Sequence, residues 1–182
     1  MRRFAWPAVF STVVVAFLVL LAVGISKSGY SKSLDSAIDR GKPALAPDAN
    51  VSLQTVHGGR LDVADYRGRF VLVNFFASWC SACQVEAPLI NQAERMLRAH
   101  GGTVIGVNYQ DNDPADISYA KQYHASYPLL GDPNQTLASA YGVNGIPESF
   151  LISPAGRVIA LNRGEITGGW VDVVANDLKS AS

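Results

Sequence analysis

Phe70-Val71-Leu72-Val73-Asn74-Phe75-Phe76 is a nearly unbroken apolar run bounded by Gly68 and Ser78, and Trp79-Cys80-Ser81-Ala82-Cys83 just beyond it holds both cysteines of the chain. A run of that length and composition suits a strand buried on both faces, which requires a sheet covered by helices. A helical pattern comes directly after it. Val85, Leu89, Ile90, Ala93, Met96 and Leu97 recur at three- and four-residue intervals between Ala82 and about His100, which defines one buried helix face. Pro88 falls inside this helix and is expected to kink it, and Gly101-Gly102 to end it. The cysteines therefore stand at a strand-to-helix junction.

Three readings of the C-x-x-C are open: a redox dithiol, a structural disulfide, or half of a zinc site. Zinc would want four ligands, and His57, His100 and His124 supply neither a second cysteine pair nor the usual H-x3–5-H spacing. A structural disulfide gains most from closing a long loop, and this loop is minimal. The redox dithiol is the favoured reading. Cys80 would sit at the helix N-terminus, where unpaired amides and the helix dipole favour a thiolate. It is the expected nucleophile, with Cys83, one turn in, as the thiol that resolves the mixed disulfide.

The rest of the chain supports a mixed α/β architecture. Val51-Ser52-Leu53 followed by His57-Gly58-Gly59 predicts a short β-ribbon continuing through Leu61 and Tyr66. Thr103 to Tyr109 is a second buried-strand pattern. Asp113-Pro114 opens a helix through Ile117, Ala120 and Tyr123, and Asp132-Pro133 opens another over Leu137 to Tyr141, closed by Gly142. A short strand over Tyr127 to Leu130 lies between them. Ser149 to Ile152 and Val158 to Asn162 are strand-like around the turn Ser153-Pro154-Ala155-Gly156, and Trp170, Val171, Val174 and Leu178 mark a closing helix.

At the start of the chain, Met1-Arg2-Arg3 precedes an uncharged run from Phe4 to Ile25, long enough at about 1.5 Å per residue to cross a hydrocarbon core of about 30 Å. Residues 1–25 are therefore expected to be a cytoplasmic start and transmembrane anchor. Arg2 and Arg3 place the remainder of the chain, from Lys27 on, outside. A cleaved signal peptide is the alternative, since Ala22-Val23-Gly24 offers small residues, but the run exceeds the ~7–15 residues of a usual signal core. Residues 26–48, rich in Ser, Lys, Gly and Pro, are expected to be a tether, and 49–182 the folded domain. Without Arg2 and Arg3 the chain has 13 basic and 15 acidic residues, which gives no basic face for nucleic acid.

The C-x-x-C at a strand-to-helix junction, with Gly145-Ile146-Pro147 some sixty residues on and a hairpin after it, resembles the thioredoxin fold from about Val51 to Leu178. Val104-Ile105-Gly106-Val107-Asn108-Tyr109-Gln110-Asp111 and Tyr141-Gly142-Val143-Asn144-Gly145-Ile146-Pro147-Glu148-Ser149-Phe150 are similar to signatures of the CcmG/DsbE family of cytochrome c maturation, with ResA and TlpA as relatives. The fold expected is a thioredoxin-like mixed central sheet flanked by helices, with an added N-terminal β-hairpin and the anchor. Two departures stand out: Ser81-Ala82 between the cysteines, where the family often has Pro or Thr, and Asn74, where classical thioredoxins bury an Asp.

Glu86 lies three residues after Cys83 on the stripe of Leu89, Ile90 and Ala93, so burial would raise its pKa and suit it to exchange a proton with Cys83, a role the resemblance also implies. A solvated helix Glu is the alternative. The resemblance implies a cis Pro147 facing the dithiol, with Ile146 offering its backbone to an extended client as an added strand. Trp79 and Glu148 are expected to rim the site, and Asn108, Tyr109 and Asp111 to lie at the same sheet edge. No cofactor beyond the Cys80–Cys83 dithiol and no metal is implied.

The function expected is that of a membrane-anchored, extracytoplasmic thiol:disulfide oxidoreductase. It would act as a reductant of apocytochrome c, or of a C-x-x-C-bearing maturation partner, and be recharged by a membrane electron donor of the DsbD/CcdA kind. A bacterial inner membrane, with the domain on the periplasmic side, is the location implied. A ResA- or TlpA-like reductase with other clients is one alternative. Another is a copper-handling protein using Cys80 and Cys83, for which only His124 and Met96 could add ligands.

Overall fold

The computed structural model describes residues 10–19, 29–111 and 113–180. The run from Val71 to Phe76 is strand β4, with β5 (Thr103–Asn108) parallel on one side and β7 (Glu148–Ile152) antiparallel on the other. Beyond β5 come β6 (Leu129–Gly131) and the ribbon β2 (Leu53–Thr55) and β3 (Arg60–Leu61). Beyond β7 come β8 (Arg157–Arg163) and the two-residue β1 (Ala44–Leu45). The eight strands form one sheet in the order β1-β8-β7-β4-β5-β6-β2-β3. The thioredoxin-like mixed sheet flanked by helices is present, and every residue of β4 and β5 is buried, as their apolar runs require.

Alternation along β4 divides the core. Leu72 and Phe76 face α3 (Ser81–Ala99), α4 (Asp113–Tyr123) and α6 (Gly168–Ser180), packing against Ala87, Ile90, Leu97, Tyr119, Val171 and Val174. Val71, Val73 and Phe75 face the other way, toward α5 (Thr136–Ala140), where Phe75, Tyr141 and Phe150 form a triangle of rings with centroids 4.9–5.7 Å apart. The rings in that triangle are tilted or T-shaped, the arrangement the ring quadrupole favours. Helix α3 continues through Pro88. Its base is fixed by Glu94, buried, which accepts from the Val104 amide at 2.6 Å, from the Thr103 hydroxyl, and from Arg98.

The stretch 26–48, expected to be a tether, is instead structured from Gly29 onward. Helix α2 (Gly29–Asp39) packs on the face opposite α3, with Leu34 only 2% exposed and Ile38 beside it in the same cluster. Asp35 pairs with Arg163 at 3.0 Å, and Ala44 and Leu45 then add β1 to the rim of β8. Two apolar residues at an i, i+4 spacing suffice to dock a helix when a sheet face awaits them. Helix α4 also turns differently from expectation. Tyr119 is buried and Ile117 exposed, because Tyr119 stacks on Phe76 with ring centroids 4.7 Å apart.

Of the expected anchor, residues 1–9 and 20–25 lie outside the described residues. Residues 10–19 form helix α1, on which Phe10, Val13, Val15, Phe17, Leu18 and Val19 are all exposed. Among the described residues no helix is long and apolar enough to cross a membrane.

Gly106, inside the β5 signature, is a close-approach position. A Cβ there would lie 2.6 Å from Cδ2 of Leu129 and 3.2–3.3 Å from the Phe76 and Tyr127 rings. Gly106→Ala is expected to cost about 1–3 kcal/mol of stability through overpacking, read from the urea midpoint at unchanged m-value.

Candidate active site

Cys80 is the N-cap of α3, in extended conformation (φ −83°, ψ 109°), and is joined to Cys83 by a disulfide with Cα atoms 5.2 Å apart. The Cys83 amide donates to Cys80 Sγ at 3.1 Å. The same amide and the helix dipole would stabilise negative charge on that sulfur once the disulfide opens. Cys80 is 6% exposed and Cys83 0%, so an incoming sulfur meets Cys80 first. The loop leading into the helix is braced from its neighbour. Asp111 accepts from the Ser78 amide at 2.8 Å and from its hydroxyl, Asn108 accepts from the Asp111 amide, and Gln84 donates to the Ser78 carbonyl at 2.7 Å.

Glu86 stands one turn below Cys83 on α3 and is 1% exposed. Its two oxygens are held separately: Oε1 accepts from Asn74 Nδ2 at 2.9 Å and Oε2 from the Ile166 amide at 2.8 Å. Asn74 also donates to Ser149 Oγ at 3.1 Å, its cross-strand partner on β7. Burial pushes the Glu86 carboxyl up to about 7, the two hydrogen bonds pull it back in part, and the Glu165 charge adds a smaller upward push. The alternative of a solvated helix Glu is thus corrected by its contacts. Asn74 does not itself titrate; it fixes the carboxyl that does.

Pro147 is buried, and the Ile146-Pro147 peptide is cis. Register places it at the site. The β4–β7 ladder ends at Phe75↔Glu148, so Pro147 lies just past it, at the end of β4 that leads through Ala77 to Cys80; the Ala77 carbonyl accepts from the Cys80 amide at 3.2 Å. Ile146 packs against both core clusters, one of which contains both cysteines. Trp79 is 58% exposed beside Cys80, its indole directed at the Gln110 carbonyl at 3.4 Å.

Glu148 does not rim the site. Its partner Phe75 faces away from α3, so Glu148 points to the opposite face while Ser149 points toward Glu86. There it is buried and ion-paired with Arg163, which also reaches Asp35 and the Gly142 carbonyl. Strand alternation alone carries this correction. Arg163→Ala is expected to lower stability by about 2 kcal/mol, below the cost of a fully buried pair because the guanidinium is partly solvated. Arg163→Lys should recover only part of it, since an ammonium cannot fork across three acceptors; urea titration of both variants is the measurement.

Sequence reasoning missed Tyr119, whose hydroxyl donates to the Cys83 carbonyl at 3.0 Å, and the Ser149 and Ile166 contacts that hold Asn74 and Glu86. Asn108 and Asp111 stand at the sheet edge expected of them, where Asn108 bonds Asp116 and Asp111 bonds Ser78 in the loop before the dithiol. Among the described residues no group of three or more His, Cys, Asp or Glu is disposed to hold a metal ion.

Residues 44–161 match the model of the AhpC/TSA family. The chain is 27% identical over 163 residues to the thiol-disulfide oxidoreductase ResA of Bacillus subtilis (strain 168), covering 88% of this chain and 90% of the relative. It is 35% identical over 146 residues to the thiol:disulfide interchange protein DsbE of Pseudomonas fluorescens biotype C, covering 79% and 78% of the two chains. A solved thiol:disulfide interchange protein of the thioredoxin family from Chlorobium tepidum TLS superposes with a TM-score of 0.65 at 28% identity, covering 75% of this chain and 97% of that one.

Proposed function

Because the chain belongs to the AhpC/TSA family and is a thiol-disulfide oxidoreductase of the ResA/DsbE type, we propose that it works as a membrane-anchored reductant of extracytoplasmic client disulfides in cytochrome c biogenesis. The observation that carries the dithiol–disulfide exchange is the Cys80–Cys83 pair at the N-terminus of α3, with the buried carboxyl of Glu86, raised to about 7, one turn from a fully buried Cys83; the reductant direction comes from the likeness to ResA and DsbE. A resolving thiol with no solvent beside it needs a proton acceptor poised near neutral pH.

The reaction moves two electrons to the client. The Cys80 thiolate attacks one sulfur of the client disulfide, forming a mixed disulfide and releasing a client thiolate that takes a proton. Glu86 accepts the Cys83 proton, and the Cys83 thiolate attacks Cys80 Sγ. The second client thiol leaves, and the Cys80–Cys83 disulfide remains. Trp79 and the Ile146 backbone line the approach, and an extended client segment would pair with Ile146 as an added strand. The proposed clients are the C-x-x-C-H cysteines of apocytochrome c, or a maturation partner that carries them.

The disulfide form is then reduced by a membrane dithiol donor of the DsbD/CcdA kind. The exposed apolar helix over residues 10–19, continuous in sequence with the uncharged run from Phe4 to Ile25, supports an anchor in a bacterial inner membrane with the domain on the periplasmic side. The test uses a disulfide peptide bearing C-x-x-C-H and the reduced protein. Stoichiometric conversion to two thiols, with the protein recovered as its disulfide, is expected; no conversion while a generic dithiol-sensitive disulfide is reduced would remove apocytochrome from the proposal.

A further inference from the structure

Helix α2 fixes which end of the domain meets the chain's apolar run. Strand β8 rises from Arg157 to Arg163, and Arg163 pairs with Glu148, next to Pro147 and level with the dithiol end of the sheet. Asp35 of α2 bonds Arg163, while further along the chain the Pro43 carbonyl accepts from Arg157 at 3.0 Å and Leu45 pairs with Arg157. The chain from Asp35 to Leu45 therefore descends from the dithiol end to the opposite end. Gly29, the start of α2, lies six residues before Asp35, about 9 Å along the helix on the side of Asp35 away from Asp39 and Leu45.

Ile25, the last residue of the uncharged run, is four peptide steps from Gly29. Whatever conformation those steps take, they span at most about 14 Å. The opposite end, marked by the turn before Arg157, is a full seven-residue strand away from Arg163, about 20 Å. From this geometry we infer that α2 suspends the domain with its dithiol end toward the bilayer, so that Cys80 exchanges electrons with partners whose own cysteines lie at the membrane surface. The inference rests on the anchor reading above. It deepens that reading by giving the domain an orientation at the bilayer. A freely diffusing client must enter the gap between domain and bilayer.

Two ion pairs and a hydrogen bond to a backbone carbonyl give the arrangement its stiffness. Arg163 holds Asp35 of α2, Glu148 of β7 and the Gly142 carbonyl at once, so the helix that carries the tether and the segment that carries Pro147 are clamped by one guanidinium.

The experiment uses the full chain in lipid vesicles containing a dansyl-labelled headgroup. Of the three tryptophans, Trp6 and Trp170 are replaced by phenylalanine to leave Trp79 beside Cys80 as the donor. A second protein also carries Trp79→Phe and Arg157→Trp, which moves the donor to the opposite end. Energy transfer from Trp79 is expected to be at least about twofold more efficient than from the Arg157→Trp reporter, and a twenty-residue Gly/Ser insertion after Ser28 should abolish the difference. Protein that floats with the vesicles yet gives equal or reversed transfer overturns the orientation and leaves the anchor standing. Protein that does not float overturns the anchor and, with it, the orientation.

Discussion

Cys80→Ser is expected to abolish client reduction, by at least about a thousand-fold, because it removes the only sulfur that a client can reach and the one aimed at by the Cys83 amide. Cys83→Ala should fail differently. The first attack still occurs, no resolving thiol follows, and the mixed disulfide through Cys80 accumulates with one client thiol released. Mass spectrometry of the trapped complex and thiol counting distinguish the two. If Cys80→Ala traps clients through Cys83 instead, the order of attack derived from 6% against 0% exposure is wrong. Both variants lose the disulfide, but its short loop contributes little chain-entropy stabilisation, so folded protein should be recoverable.

Glu86→Gln is expected to lower the rate of resolution by about a hundred-fold, since an amide cannot accept the Cys83 proton. The pH dependence separates this role from a structural one. With Glu86, resolution should gain rate as pH rises through about 7, where the carboxyl ionises; with Gln that inflection disappears. An inflection that persists unchanged in Glu86→Gln would assign the proton to another group. Glutamine keeps an oxygen for the Ile166 amide, and a flipped Asn74 amide can accept from the new NH2 and from the Ser149 hydroxyl, so the fold should survive the change.

The same carboxyl sets a stability trend in the disulfide form. Its ordinary value is 4.5 and its folded value is about 7, so between them the folded chain holds a proton that the unfolded chain has lost. The stabilisation is complete below about pH 4.5, declines by roughly 3 kcal/mol as pH rises to about 7, and is flat above. Urea midpoints at pH 5 and 7.5 should differ in the native chain and converge in Glu86→Gln.

How much of this was legible in the chain depends on whether the signal was local. The run Phe70–Phe76, the C-x-x-C and the β2–β3 ribbon announce themselves by periodicity and turn residues and are found, although the ribbon ends at Leu61 and Tyr66, expected to continue it, lies in a 3-10 turn over Val63–Tyr66. Glu86 could be placed near the thiols by helical spacing. Its fixation could not, because Ser149 is 75 residues from Asn74 and the Ile166 amide 80 residues from Glu86, with nothing in either neighbourhood to mark the pairing. Glu148 was misjudged through proximity to Pro147 in sequence, where strand alternation turns adjacent side chains to opposite faces. Helix α2 was hidden by composition: its docking uses Leu34, Ile38 and an ion pair to a residue 128 positions away.

The two rims of the sheet, β1 and β3, are each two residues long. Strands so short offer little ladder on which a neighbouring copy could build, which limits edge-to-edge pairing and the aggregation that follows from it. The proposed place for a client backbone, the segment beside Pro147, lies at neither rim. A client strand added there, as proposed, would join the sheet at the site of the chemistry and away from these two rims.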